Sequence, residues 1–198
     1  MKIQKEKDKL LAELKSYQEM DAFIKGIPLS SEKTKNGKFK GDFHGCIMQT
    51  YDDPVEKFAK KYDIDLWYCY LTKRIFRGMP NEESKKFPYE SIEILPLNFD
   101  FNKIKSPFHK EVLIKKSEFI KNAEIKKTIT DAAQLFDVPF NEIDKEAAQE
   151  AWPAVIESAP LFAIKSAIVI SWTPTEWSSV ADENHHMWLR DLLFRLIK

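Results

Sequence analysis

Glycine is nearly absent from this chain: five occur in 198 residues. Glycine takes left-handed backbone angles without steric penalty, so folds built from many special turns are disfavoured here. Helices joined by short connections fit better, and the apolar residues repeat at helical spacing. Leu10, Leu11, Leu14, Tyr17 and Phe23 predict a first helix from about Glu6 to Ile24, stopped by Gly26 and Pro28. Asp52 or Asp53 before Pro54 is a helix-start signature. The segment DLWYCYLTKRIFRG predicts a central helix ending at Gly78. There Leu66, Cys69, Tyr70, Ile75 and Phe76 give more apolar surface than one stripe needs.

Proline punctuates the chain beyond Gly78. NEESKKFPYESIEILP reads as short helical pieces broken by Pro80, Pro88 and Pro96, and Ser106-Pro107 reads as the start of another helix. Helical spacings continue through EIKKTITDAAQLF, DKEAAQEAW, LFAIKSAIVISW and EWSSVADENHHMWLRDLLFRLIK. The polar stretch PLSSEKTKNGKFKGDFHG predicts an exposed loop, with room for one small β-hairpin near residues 33–43 around Asn36-Gly37. NFDFNKI is the best alternating segment, a short edge strand or an extended linker. The expectation is an all-α chain, a single irregular multi-helix domain over residues 1–198.

Formal net charge is zero, which gives no global pull toward a polyanion, so nucleic acid is not an expected partner. The balance hides an asymmetry. Residues 1–40 carry ten lysines against six acids, and residues 101–130 carry eight against three. Residues 131–198 reverse the sign, with eleven acids against five Lys or Arg. Two cysteines at unrelated positions make no disulfide framework, and no secretory leader follows Met1. The longest apolar run is interrupted by Lys165 and is too short to span a bilayer. A cytoplasmic protein with reduced thiols and no membrane partner is expected.

The site-like segment is GDFHGCIMQTYDDP, residues 41–54. A thiolate at Cys46 needs a nearby imidazolium, basic group or helix start to lower its pKa, and Lys38, Lys40 and His44 lie close in sequence. No Asn or Asp orienter is identifiable, and a catalytic base usually comes from elsewhere in the chain. Covalent catalysis at Cys46 is therefore an alternative rather than the leading reading, and no catalytic residue is assigned. The lysines, the Gly37 and Gly41 backbone, and Phe39 or Phe43 suit an anion-and-ring pocket packed on a helix start. The expected ligand-binding set is Lys38, Lys40, His44, Cys46 and Tyr51.

Other clusters read as structural. Asp182, His186 and Arg190 are each four apart and share a helix face, with His185 nearer the buried stripe. Adjacent His185 and His186 point about 100° apart on a helix, which is poor for one metal ion, so no metal site is assigned. Trp152, Trp172, Trp177 and Trp188 read as core filler. Gly-rich phosphate loops, nucleotide fingerprints, Gly-x-Ser-x-Gly elbows and His-Glu-x-x-His are missing, and no cofactor is expected.

Taken together, EMDAFIKG, GDFHGC and LWYCYLTKRIFRGMP resemble a group of bacterial and phage proteins of uncharacterised activity. The matching residues are Asp21, Ile24, Gly26, Gly45, Cys46, Ile75, Phe76, Gly78 and Pro80. Many members carry a second Gly-Cys just after the first; here IMQT follows Cys46, which argues against paired-cysteine chemistry. The resemblance covers about the first 80 residues and implies a helical protein of bacterial or phage origin. It supplies no activity.

The leading expectation is a non-enzymatic intracellular binding protein that captures a small anionic or nucleotide-like ligand; of the two origins the resemblance implies, a phage origin would make that capture the sequestration of a host signal. The alternative class is an interaction module that uses Trp188, Leu189, Leu192, Leu193 and Leu196 against a second copy or a host protein.

Overall fold

A computed structural model describes residues 1–118, 121–139 and 183–198. Among them are eight α-helices and no β-strand, so the all-α expectation holds. In chain order these are α1 (Gln4–Glu19), α2 (Phe43–Met48), α3 (Pro54–Tyr62), α4 (Leu66–Gly78), α5 (Asn81–Glu93), α6 (Asn102–Glu118), α7 (Ala123–Gln134) and α8 (Glu183–Ile197). A 3₁₀ turn, Leu135–Asp137, continues α7. The helical spacings read over residues 144–152 and 161–172, with Trp152, Trp172 and Trp177, lie outside the described residues, as does Asp182. No helix of the described residues is long and apolar enough to cross a membrane.

The backbone gathers into two compact units, Met1–Phe99 with Glu176–Lys198, and Asp100–Thr175. The first unit is built on α4. Tyr68, Cys69, Leu71, Ile75 and Phe76 are buried, whereas Leu66 is exposed and Tyr70 half-buried, so the apolar surplus of that helix is absorbed only in part. Phe76 meets Phe43 edge-to-face at 5.7 Å, and Phe43 meets Phe58 at 6.1 Å. Such pairs add about 0.5–1.5 kcal/mol each beyond the area they bury. From α8, Leu189, Leu192, Leu193 and Ile197 are buried, and Phe194 stacks on Phe87 of α5 at 5.9 Å. In the second unit, α6, α7 and the 3₁₀ turn close around Phe108, Val112, Leu113, Ile129 and Ala133. There His109 stacks on Phe136 at 5.2 Å.

The first helix stops at Glu19, five residues before the predicted end. Asp21 takes φ +49°, its N–H donates to the Gln18 carbonyl, and the Ala22 N–H donates to the Tyr17 carbonyl. That is the Schellman closure, with aspartate where glycine usually stands. Pro88 and Pro107 lie inside α5 and α6 rather than at their ends. An interior proline costs about 3 kcal/mol. In α5 the flanking Phe87 and Ile92 are fully buried, worth about 3–6 kcal/mol together, and the helix persists. The Tyr68 hydroxyl also donates to the Ser91 carbonyl at 2.5 Å, serving one of the last carbonyls of α5.

The loop near residues 33–43 forms a tightened reversal rather than a strand pair. One isolated antiparallel bridge joins Lys33 to Phe39, and the Thr34 N–H donates to the Lys38 carbonyl at 2.7 Å. Gly37, at φ +77°, supplies the turn.

Candidate functional site

Asp42 organises the segment. It is the N-cap of α2, and its Oδ1 accepts from the Gly45 N–H at 2.9 Å. His44, Gly45 and Cys46 thus sit on a helix of their own, not at the loop-to-helix junction expected before Pro54. Pro54 does occupy the first turn of α3, but the Asp53 side chain makes no cap there, and Asp52 pairs with Lys57 at 2.8 Å. Gly41 and Gly45 are required for proximity rather than for a bend. A Cβ at Gly45 would stand 1.5 Å from the Pro28 carbonyl oxygen, and one at Gly41 would stand 2.4 Å from it. The chain at Ala22–Pro28 runs hard against this helix, with the Gly41 N–H donating to Ala22 and the Asp42 N–H donating to Ile27.

The other carboxylate oxygen of Asp42 faces α4. Lys73 Nζ lies 3.5 Å from Oδ2 and Arg77 Nη2 lies 3.9 Å from it, ion-pair distances that leave Oδ2 without a short hydrogen bond. Lys73 and Arg77 are four residues apart and so share one face of α4. Asp42 is completely buried, whereas the Lys73 and Arg77 side chains are 13% and 35% exposed. Burial raises the Asp42 carboxyl above its ordinary range, opposed by Lys73, the Gly45 N–H and Arg77. His44 is also completely buried, its ring 3.8 Å from Phe43 and 4.8 Å from Phe58. Burial, then the charges of Lys73 and Arg77, push its imidazole well below the usual value, so it is neutral at pH 7. Neither ring nitrogen has a hydrogen-bond partner; Asp42 Oδ2 and Arg77 Nε are likewise buried and unfilled. Lys73 and Arg77 act electrostatically on both Asp42 and His44, so the unfilled atoms of these three residues lie in one electrostatic neighbourhood.

Cys46 has the opposite character. Its Sγ lies 3.4 Å from the Gly41 carbonyl and 3.6 Å from that of Ala22, where the thiol donates. Burial, then the Asp42 charge, push it up to about 12. It is a protonated structural thiol at neutral pH, not an activated nucleophile.

The five residues expected to bind ligand do not form one group. Lys38 and Lys40 lie on the loop, paired with Glu13 at 3.5 Å and Glu32 at 3.6 Å. The loop meets the C-terminal end of α2, where the Gln49 side chain exchanges hydrogen bonds with both backbone groups of Phe39. Tyr51 is 61% exposed beyond that end. His44 and Cys46 are sealed inside, and of the five His44 alone belongs to the Asp42 cluster. Lys73 and Arg77 escape a motif search, yet a signal exists: LTKRIFRG sets three cations, Lys73, Arg74 and Arg77, in a largely apolar helix, and two of them are spaced i, i+4.

The terminal helix also differs from expectation in detail. His186 is the buried histidine and His185 the half-exposed one, stacked on Trp188 at 5.7 Å. Gly78 makes room for His186: a Cβ there would fall 2.1 Å from its Nε2. Arg190 reaches Glu83 at 3.2 Å. Leu189, Leu192 and Leu193 of the apolar stripe are consumed within this unit, while Trp188 and Leu196 are half-buried. Among the described residues no cluster of His, Cys, Asp and Glu could hold a metal ion. In comparisons with known proteins, no family model, curated sequence or solved structure matches the chain significantly.

Proposed function

We propose that this chain is a binding protein rather than an enzyme, and that it captures a small anionic ligand, phosphate-bearing nucleotides included, at Asp42, His44, Lys73 and Arg77. The observation that carries this reading is the convergence of two cations on one buried carboxylate with unfilled polar atoms around it. With His44 neutral and Asp42 ionised against Lys73 and Arg77, the cluster holds one net positive charge. Each buried, unfilled polar group costs about 1–3 kcal/mol, and a polar guest recovers that cost by filling several at once. The protonated Cys46 supports binding over covalent chemistry. Lys38 and Lys40 contribute at longer range, since their exposed pairs with Glu13 and Glu32 are worth little and exchange readily.

Calorimetry with inorganic phosphate, ATP and cyclic nucleotides tests the reading. Lys73→Met and Arg77→Gln should each weaken binding at least tenfold, whereas Lys38→Ala should weaken it less than threefold. Absence of heat with every ligand up to high micromolar concentration refutes it.

A further inference from the structure

We infer that Asp42 makes this site selective for an oxyanion that carries its own O–H, hydrogen phosphate being the simplest, over a fully ionised one such as sulfate. The inference rests on the anion-binding reading above and deepens it. Arg77 Nε and Lys73 are donors, and they stabilise any oxyanion. Asp42 Oδ2 is different, because an ionised carboxylate only accepts. It is completely buried, its partner oxygen is already occupied by the Gly45 N–H, and its two cationic neighbours stand at 3.5 and 3.9 Å. A hydrogen-phosphate O–H directed at Oδ2 makes a short charge-assisted hydrogen bond. A sulfate oxygen in that place sets two negative, acceptor-only atoms against each other in a buried setting, where such repulsion is least screened. Size and shape do not distinguish the two anions; the hydrogen does. Of the three residues only Lys73 and Arg77 are exposed at all, so a ligand would have to displace those two side chains in order to reach Asp42.

The test is calorimetry of the full-length chain with inorganic phosphate and with sulfate at pH 7 and matched ionic strength. The wild type should bind phosphate at least tenfold more tightly than sulfate. Asp42→Asn keeps a side chain that caps helices equally well and supplies an amide donor, so the ratio should fall to threefold or less. Asp42→Ser is the second variant should the first fail to fold, with the same expected collapse of the ratio. Binding of neither anion overturns the anion-binding reading itself. Equal binding of both to the wild type, or selectivity that survives in a folded Asp42 variant, overturns the role of Asp42 while leaving anion capture intact.

Discussion

Gly45 sets how closely two parts of the backbone approach. A methyl group there would lie 1.5 Å from one backbone oxygen and 2.6 Å from its carbon, and neither belongs to a flexible side chain. Gly45→Ala should therefore cost about 3 kcal/mol or more in urea unfolding, at the upper end for overpacking; a loss under about 1 kcal/mol would show that Pro28 yields easily. His44 and Cys46 report their burial through pH. Unfolded, His44 takes up a proton below about pH 6.5, while in the fold it stays neutral well below that. The unfolded state then binds more protons, and stability falls as pH drops. The stability difference between wild type and His44→Gln should shrink by up to about 1.4 kcal/mol per pH unit below about 6.5. Asp42, whose pKa is raised, tilts the curve the other way near pH 4, and the difference between the two proteins removes its contribution. Cys46 acts at the alkaline end. The unfolded thiol ionises from about pH 8.5 and the folded one only near pH 12, so the folded state loses stability as pH rises between them. Iodoacetamide at pH 8 should leave Cys46 unmodified until urea unfolds the chain; rapid labelling of the native protein would contradict the buried thiol. None of this was legible in the sequence. Gly-Cys next to a histidine looks the same whether the pair faces a ligand or a core, and only the packing of Ala22–Pro28 decides it.

Helix existence was legible where burial and local signals agree, and the misses have identifiable causes. In α4 the apolar run and the Gly78 end point one way, and the helix ends as expected, with Asp65 capping its start in the structure. In α5 Pro88 reads as a breaker and in α6 Pro107 reads as a helix start, yet both lie inside their helices, where flanking apolar burial exceeds the local cost of proline. At the end of α1 an aspartate in a left-handed conformation carried no composition signal. Asp21→Gly should relieve that strain and raise stability by about 0.5–1 kcal/mol, since its exposed ion pair with Lys85 contributes little. A destabilised variant would mean that the aspartate makes a contribution its geometry does not reveal. The fit of α8 on α4 is open to a double-mutant cycle. Gly78→Ala drives a methyl into the His186 ring, so it should be clearly destabilising alone and much less so with His186→Ala.

For the molecule as a whole, the first unit is discontinuous: residues 1–99 share a core with α8, from beyond position 182. Removing residues 183–198 strips Leu189, Leu192, Leu193 and Ile197 from that core. Large-to-small losses run to about 2–5 kcal/mol each, so the deletion should exceed the roughly 5–15 kcal/mol that holds an ordinary domain together. Circular dichroism and limited proteolysis of the truncated chain should show loss of cooperative unfolding in the first unit. The proposed anion site is tied to the same arrangement, because α4 carries Lys73 and Arg77 on one face and receives His186 at Gly78. This discontinuity also has a meaning for biosynthesis. A ribosome adds about 5–20 residues per second, so residues 1–99 leave it several seconds before α8 has been made. Through that interval the bare face of α4 is an apolar surface without its cover, the kind of surface that nascent-chain chaperones hold. The surroundings of Asp42 on α4 would then mature last, after translation has passed through the whole second unit.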